Sequence, residues 1–201
     1  RAPPAAKLTG AVFARLFDDA PAAGGRGTEK KTPWFRGGMA EYCVARTSDI
    51  AVKPEEISFA QAASVPLAGM IALQALQEAG LNEGAAHDNI SLFISGGAGG
   101  VGSLAIQLAK QVLKVGRVVT TASAGEKADL CKELGADEVV DYKTQRFEDV
   151  LQATKFDVCI DTTGEGVRMA KIVKEGGKIV SIGGDATLEE IRRIGGTSCI
   201  L

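Results

Sequence analysis

Ser95-Gly96-Gly97-Ala98-Gly99-Gly100-Val101-Gly102 is the stretch that most narrows what this chain can become. A short apolar run, Ile90–Ser95, leads straight into it. Behind it Val101, Leu104, Ala105, Leu108 and Val112 recur at helical spacing, with Gln107, Lys110, Gln111 and Lys114 on the other face. A second β-rich run, Arg117–Ala122, then closes a strand–helix–strand unit. Gly97, Gly99 and Gly102 satisfy a G-x-G-x-x-G pattern in that context. The first permits a tight turn, the second lets a pyrophosphate approach bare backbone, and the third lets the helix pack close to the strand. The helix N-terminal N–H groups then face the phosphates. The competing reading is a glycine-rich turn without a ligand, and the flanking strand, helix and second strand weigh against it.

The alternation continues beyond the turn. Helices are expected at Glu126–Leu134 (stopped by Gly135), Arg146–Ala153, Glu165–Lys174 (stopped by Gly176-Gly177) and Leu188–Ile194. Strands are expected at Val139–Tyr142, Asp157–Thr163, Lys178–Ile182 and Ser198–Leu201. Strands alternating with helices give a doubly wound α/β domain on a parallel sheet, assigned to residues 57–201. Residues 1–56 read differently. Two short strands, Ala11–Leu16 and Ala40–Ala45 followed by Ile50–Val52, flank a loop rich in Gly, Pro and charge from Asp18 to Gly38. That section has too few apolar elements for a core of its own.

The tip of the second strand bears on the cofactor. An Asp or Glu about 20 residues after the glycines would hold ribose hydroxyls. Here the strand ends Thr120-Thr121-Ala122-Ser123 with no carboxylate, and Lys127 follows. A hydroxyl and an ammonium suit a 2′-phosphate. From spacing alone Lys127 reads equally well as a solvated lysine on a helix face, with Glu126 beside it.

Bulk properties exclude other classes. The net charge of −2 and the lack of a basic face speak against nucleic acid. No continuous apolar run approaches bilayer-spanning length, and Arg1-Ala2-Pro3-Pro4 does not open a secretory signal. Cys43, Cys131, Cys159 and Cys199 are dispersed, as befits buried free thiols in a reducing compartment, the cytoplasm or an organelle matrix. The one histidine, His87, sits in a polar stretch and is expected to be an exposed loop residue. With no clustered Cys and His ligands, no metal site is expected.

Several of these motifs together carry a family resemblance. Residues 95–110 resemble the cofactor turn of the medium-chain dehydrogenase/reductases, most of all the zinc-independent quinone oxidoreductases and enone reductases. Gly37-Gly38-Met39-Ala40-Glu41-Tyr42, Ala62–Gly69, Leu134-Gly135-Ala136-Asp137 with Val140-Asp141-Tyr142, and Asp161-Thr162-Thr163-Gly164 resemble further family segments in the same order. The resemblance implies a Rossmann cofactor domain, with residues 1–56 the remnant of a GroES-like β domain. It implies NADPH bound by Gly97, Gly99, Gly100, Val101 and Gly102 at the pyrophosphate, and by Ser123, Lys127 and Tyr142 at the 2′-phosphate and adenosine end. Thr163 and Gly183 match loops beside the rest of the cofactor. The activity implied is zinc-independent hydride transfer to a quinone or an α,β-unsaturated carbonyl. The alternative is a catalytically incomplete NADPH-binding or structural subunit of a larger assembly. Two departures stand out. Pro66–Gly69 lacks the cysteine of the zinc enzymes, and Gly69-Met70-Ile71-Ala72 carries Ile71 where a G-x-T-A pattern has threonine. No residue is nominated as a catalytic acid. Self-association is expected through a free-edge strand at Thr197–Leu201.

Overall fold

In a computed structural model of the chain, residues 51–182 are described. The strands expected at 11–16 and 40–45, the helix at 188–194, the pairing strand at 197–201 and Gly183 lie outside them. The chain divides into two compact units, Arg1–Leu67 and Ala68–Leu201.

Within the second unit, five parallel strands form one sheet: β1 Ser91–Ile94, β2 Arg117–Ala122, β3 Glu138–Asp141, β4 Phe156–Asp161 and β5 Val173–Ser181. Their spatial order is β3-β2-β1-β4-β5. Phe93 pairs with Val119 on one side and Cys159 on the other. Successive residues of a strand point to opposite faces, and both faces are apolar. Leu92, Ile94, Val118, Val158, Ile160 and Val180 belong to one core cluster. Phe93, Val119, Cys159 and Ile179 belong to the other. A sheet buried on both faces reads as continuous apolar runs rather than alternation, which is why L-F-I, V-C-I and I-V stand out in the sequence.

Helices cover each face. On the first lie α2 Gly100–Gln107 and α3 Glu126–Glu133, which contribute Ala105, Ile106 and Cys131. On the second lie α4 Phe147–Val150 and α5 Gly166–Met169, with Phe147, Leu151, Met169 and Ile172 buried. After α2 the chain widens into a π-helical turn, Leu108–Val112. The direction of winding reverses between β1 and β4. Ligands of doubly wound sheets bind at that switch point, beyond the carboxyl ends of the strands.

One long helix escaped the sequence reading: α1, Phe59–Glu78. Its start is a capping box, in which Gln61 N–H donates to Ser58 Oγ (3.2 Å) and Ser58 N–H to Gln61 Oε1 (2.8 Å). Glutamines at 61, 74 and 77 and Pro66 interrupt its apolar run. Its mean hydropathy over 18 residues is 1.4, enough by length and composition to cross a membrane. Its second half instead packs Ala72, Ala75 and Leu76, all fully buried, in the core.

Two expectations need correction. The helix expected over Glu165–Lys174 is only the single turn of α5, and β5 begins at Val173 rather than Lys178. Phe156 pairs with Val173 and Val158 with Lys178, so the intervening residues bulge out of the ladder. Gly176, at φ +74, lies in that bulge instead of ending a helix. His87 is buried, not exposed. Its Nε2 lies 2.9 Å from the Asn82 carbonyl oxygen, and its own carbonyl accepts Ile90 and Gly116 N–H. A polar neighbourhood in sequence did not translate into exposure, because the loop folds back over the start of β1.

Candidate functional site: a glycine-lined cleft at the switch point

The turn after β1 is locked from beneath by the second strand. Gly96 N–H donates to Thr121 Oγ1 (2.9 Å) and Gly97 N–H to the Thr121 carbonyl (2.9 Å). Gly96 takes φ +65, a conformation that side chains resist. A Cβ on Gly97 would overlap the Thr120 side chain, and one on Gly102 would overlap the Gly96 carbonyl oxygen. The tight turn and close helix packing assigned to the first and third glycines are therefore visible. Gly99 and Gly100 are exposed at the mouth, with bare backbone facing outward.

Above the turn opens a cleft of about 790 Å³. The strand order lays out its walls. Tyr142 follows β3, and Ser123 and Lys127 follow β2. Gly96 and Ala98–Gly102 form the centre. Thr162, Thr163, Glu165 and Arg168 follow β4, Ile182 follows β5, and Ile71 of α1 joins the lining.

Of the residues singled out in the sequence, Gly99, Gly100, Val101, Gly102, Ser123, Lys127, Tyr142 and Thr163 all line this cleft. Gly97 lies buried beneath it, and Gly183 is outside the described residues, next to the lining Ile182. Glu165, Arg168 and Thr121 join the lining without having been expected there. Only the D-T-T-G segment hinted at a loop there, and nothing in the sequence aimed Arg168 at the cleft.

The two lining cations are in opposite states. Arg168 is held by two carboxylates through three of its N–H groups. It donates to Glu148 Oε1 (3.0 Å) and Oε2 (2.5 Å), bonds Glu165, and stacks 4.4 Å over the Phe147 ring. Lys127 is exposed, and its side chain has no hydrogen-bonding or ion-pair partner among the described residues. Asp141, the carboxylate at the tip of β3, is turned to its own loop. Its oxygens accept Lys143 N–H (3.0 Å) and Thr144 Oγ1–H (3.0 Å), contacts that hold it below the usual carboxylate range. It does not line the cleft. Among the described residues no group of three or more His, Cys, Asp or Glu side chains could hold a metal ion.

Strand order, switch point and glycine turn together define a Rossmann-type domain. Comparison with known proteins narrows this further. A family described as zinc-binding dehydrogenase matches residues 100–197. The 2-methylene-furan-3-one reductase of Solanum lycopersicum is 45% identical over 151 residues, 75% of this chain and 37% of that protein. The chloroplastic NADPH-dependent alkenal/one oxidoreductase of Arabidopsis thaliana is 42% identical with the same coverage. The solved quinone oxidoreductase of Coxiella burnetii superposes with a TM-score of 0.68 at 36% identity, covering 78% of this chain and 48% of that one. Over its cofactor-domain part the chain is similar to the quinone and enone oxidoreductase branch of the medium-chain dehydrogenase/reductase superfamily. It spans little more than a third of the curated relatives it matches.

Proposed function

We propose that this chain is the cofactor-binding part of an NADPH-dependent oxidoreductase that reduces a quinone or an α,β-unsaturated carbonyl without catalytic zinc. The observation that carries the reading is the Lys127 ammonium, unpaired among the described residues, which lines the same cleft as Ser123, Tyr142 and the glycine turn. In that cleft Gly97, Gly99, Gly100, Val101 and Gly102 would cradle the pyrophosphate, and Ser123, Lys127 and Tyr142 would take the 2′-phosphate and adenosine. Thr163, with Gly183 after β5, would border the remainder. Ile71 and Ile182 offer an apolar surface where the ring of the nicotinamide would lie. NADPH supplies the hydride, and the protein's part is to bind, orient and exclude water.

The substrate class follows the relatives, whose names specify furanone, alkenal and quinone reduction. Zinc independence is supported by the cysteine-free Pro66–Gly69 segment. Residues 1–56 belong, in this reading, to the end of a GroES-like domain. Cys131 and Cys159 are free and buried, which supports a reducing compartment, either the cytoplasm or an organelle matrix. Calorimetric titration tests the cofactor assignment: NADPH should bind at least about tenfold more tightly than NADH. Equal affinities would remove the phosphate site. Turnover of a small quinone or alkenal by the chain would then separate an enzyme from a subunit that only binds cofactor.

A further inference from the structure

Asp161, at the end of β4, is wholly buried yet does not line the cleft. A buried carboxylate persists only where hydrogen bonds or counter-charges replace its lost water. Here the loop itself does so. Asp161 Oδ1 accepts the backbone N–H groups of Thr163 (3.0 Å), Gly164 (2.8 Å) and Glu165 (2.9 Å), and Oδ2 accepts that of Gly166 (2.8 Å). Ser95 Oγ–H and Ser181 Oγ–H add bonds of 3.3 and 3.1 Å. One side chain thus ties together the carboxyl ends of β1, β4 and β5.

The loop so wound forms one wall of the cleft, and its hydroxyl protons are committed inward. Thr162 Oγ1–H donates to the Ser95 carbonyl (2.7 Å), and Thr162 N–H donates to Ser95 Oγ (2.9 Å). Thr163 Oγ1–H donates to Glu165 Oε2 (2.8 Å), while Glu165 Oε1 holds Arg168. The wall therefore meets a ligand with oxygen lone pairs. It suits a donor such as a sugar hydroxyl or a carboxamide NH₂. The β2–β3 side, with Lys127, has the opposite character.

We propose that Asp161 is a positioning residue. It holds the 162–166 loop in the shape that accepts hydrogen bonds from the nicotinamide-riboside half of the cofactor, while the adenosine half is held independently of it. The proposal rests on the NADPH reading above. Asparagine at this position keeps the size but has one acceptor oxygen, and its NH₂ would face either Gly166 N–H or the three N–H groups at Oδ1.

The test is a pair of titrations on the full chain, with NADPH and with adenosine 2′,5′-bisphosphate, which lacks the nicotinamide half. Asp161→Asn should weaken NADPH at least about tenfold and leave the bisphosphate within about twofold. Backbone amide exchange at Thr163–Gly166 should quicken in the ligand-free variant. Ser95→Ala, which removes one donor to Asp161 and the acceptor of Thr162 N–H, should shift the same ratio in the same direction by less. If Asp161→Asn does not fold, Ser95→Ala carries the test, its criterion being a larger loss for NADPH than for the bisphosphate. Equal losses for both ligands, or an unchanged NADPH affinity, would overturn the positioning role while leaving the cofactor reading intact. A wild-type chain that binds neither ligand would remove both.

Discussion

Lys127 and Gly102 show how differently single residues serve this cleft. Lys127 has no structural duty among the described residues, so removing it should cost binding and little else. Lys127→Ala is expected to weaken NADPH about tenfold, or about 1.4 kcal/mol, with NADH affinity and melting temperature nearly unchanged. Parallel titrations check this, and a matching loss for NADH would refute the assignment. Gly102 is the reverse. A methyl there collides with backbone, the Gly96 carbonyl, which no rotamer can relieve. Gly102→Ala should cost about 1–3 kcal/mol or more in urea unfolding, as overpacking does, and it should abolish cofactor binding as the turn deforms. Gly84 is a useful control. It has φ +84 but open space around its Cβ position, so Gly84→Ala should cost only backbone strain of about 1–2 kcal/mol and leave binding intact. These roles differ in legibility. The glycines announce themselves because only glycine fits such a turn. The freedom of Lys127 is a matter of which carboxylates approach it, and spacing along the chain does not record that.

At the level of elements, the single turns α4 and α5 are too short to stand by their own hydrogen bonds. They are pinned through Glu148. This side chain is fully buried, bonded by Arg168 and, at 2.7 and 3.0 Å, by Arg146. The Arg168 bonds foremost pull its carboxyl down to about 2, against the desolvation that raises it. A carboxylate depressed in the folded state stabilises the fold above its unfolded value and loses that contribution as pH falls through the folded one. Wild type should therefore lose stability as the pH drops from about 4.5 towards about 2, and Glu148→Gln should flatten that part of the profile in acid titrations followed by circular dichroism. An unchanged slope would mean that the pair contributes nothing. Arg168→Ala leaves the buried charge with Arg146 alone and should cost up to about 3 kcal/mol at neutral pH. The helix expected over 165–174 failed for a related reason. Glu165 and Arg168 stand three apart as on a helix, but Asp161 takes the N–H groups that open the segment, and β4 recruits Val173 into the sheet.

For the whole molecule, binding at the switch point couples the halves of the sheet, so ligand should raise global stability. NADPH at 100 times its Kd should add about 2.7 kcal/mol to unfolding, seen as a higher melting temperature, and NADH at the same concentration should add less. Elemental analysis of the purified chain should find no stoichiometric zinc. A one-to-one metal content would overturn the zinc-independent assignment.

The alternation of strands and helices from β1 onward and the glycine turn were determined by the sequence alone. They depend on apolar runs, spacing and the steric uniqueness of glycine, all local in the chain. Element boundaries after β4, the burial of His87, the core role of α1 and the Asp161 and Arg168 networks were decided by tertiary structure. In each case the outcome turns on partners distant in sequence, such as Ser95 for Asp161 or Glu148 for Arg168. A polar residue's meaning is set by the donors and acceptors that the fold brings to it.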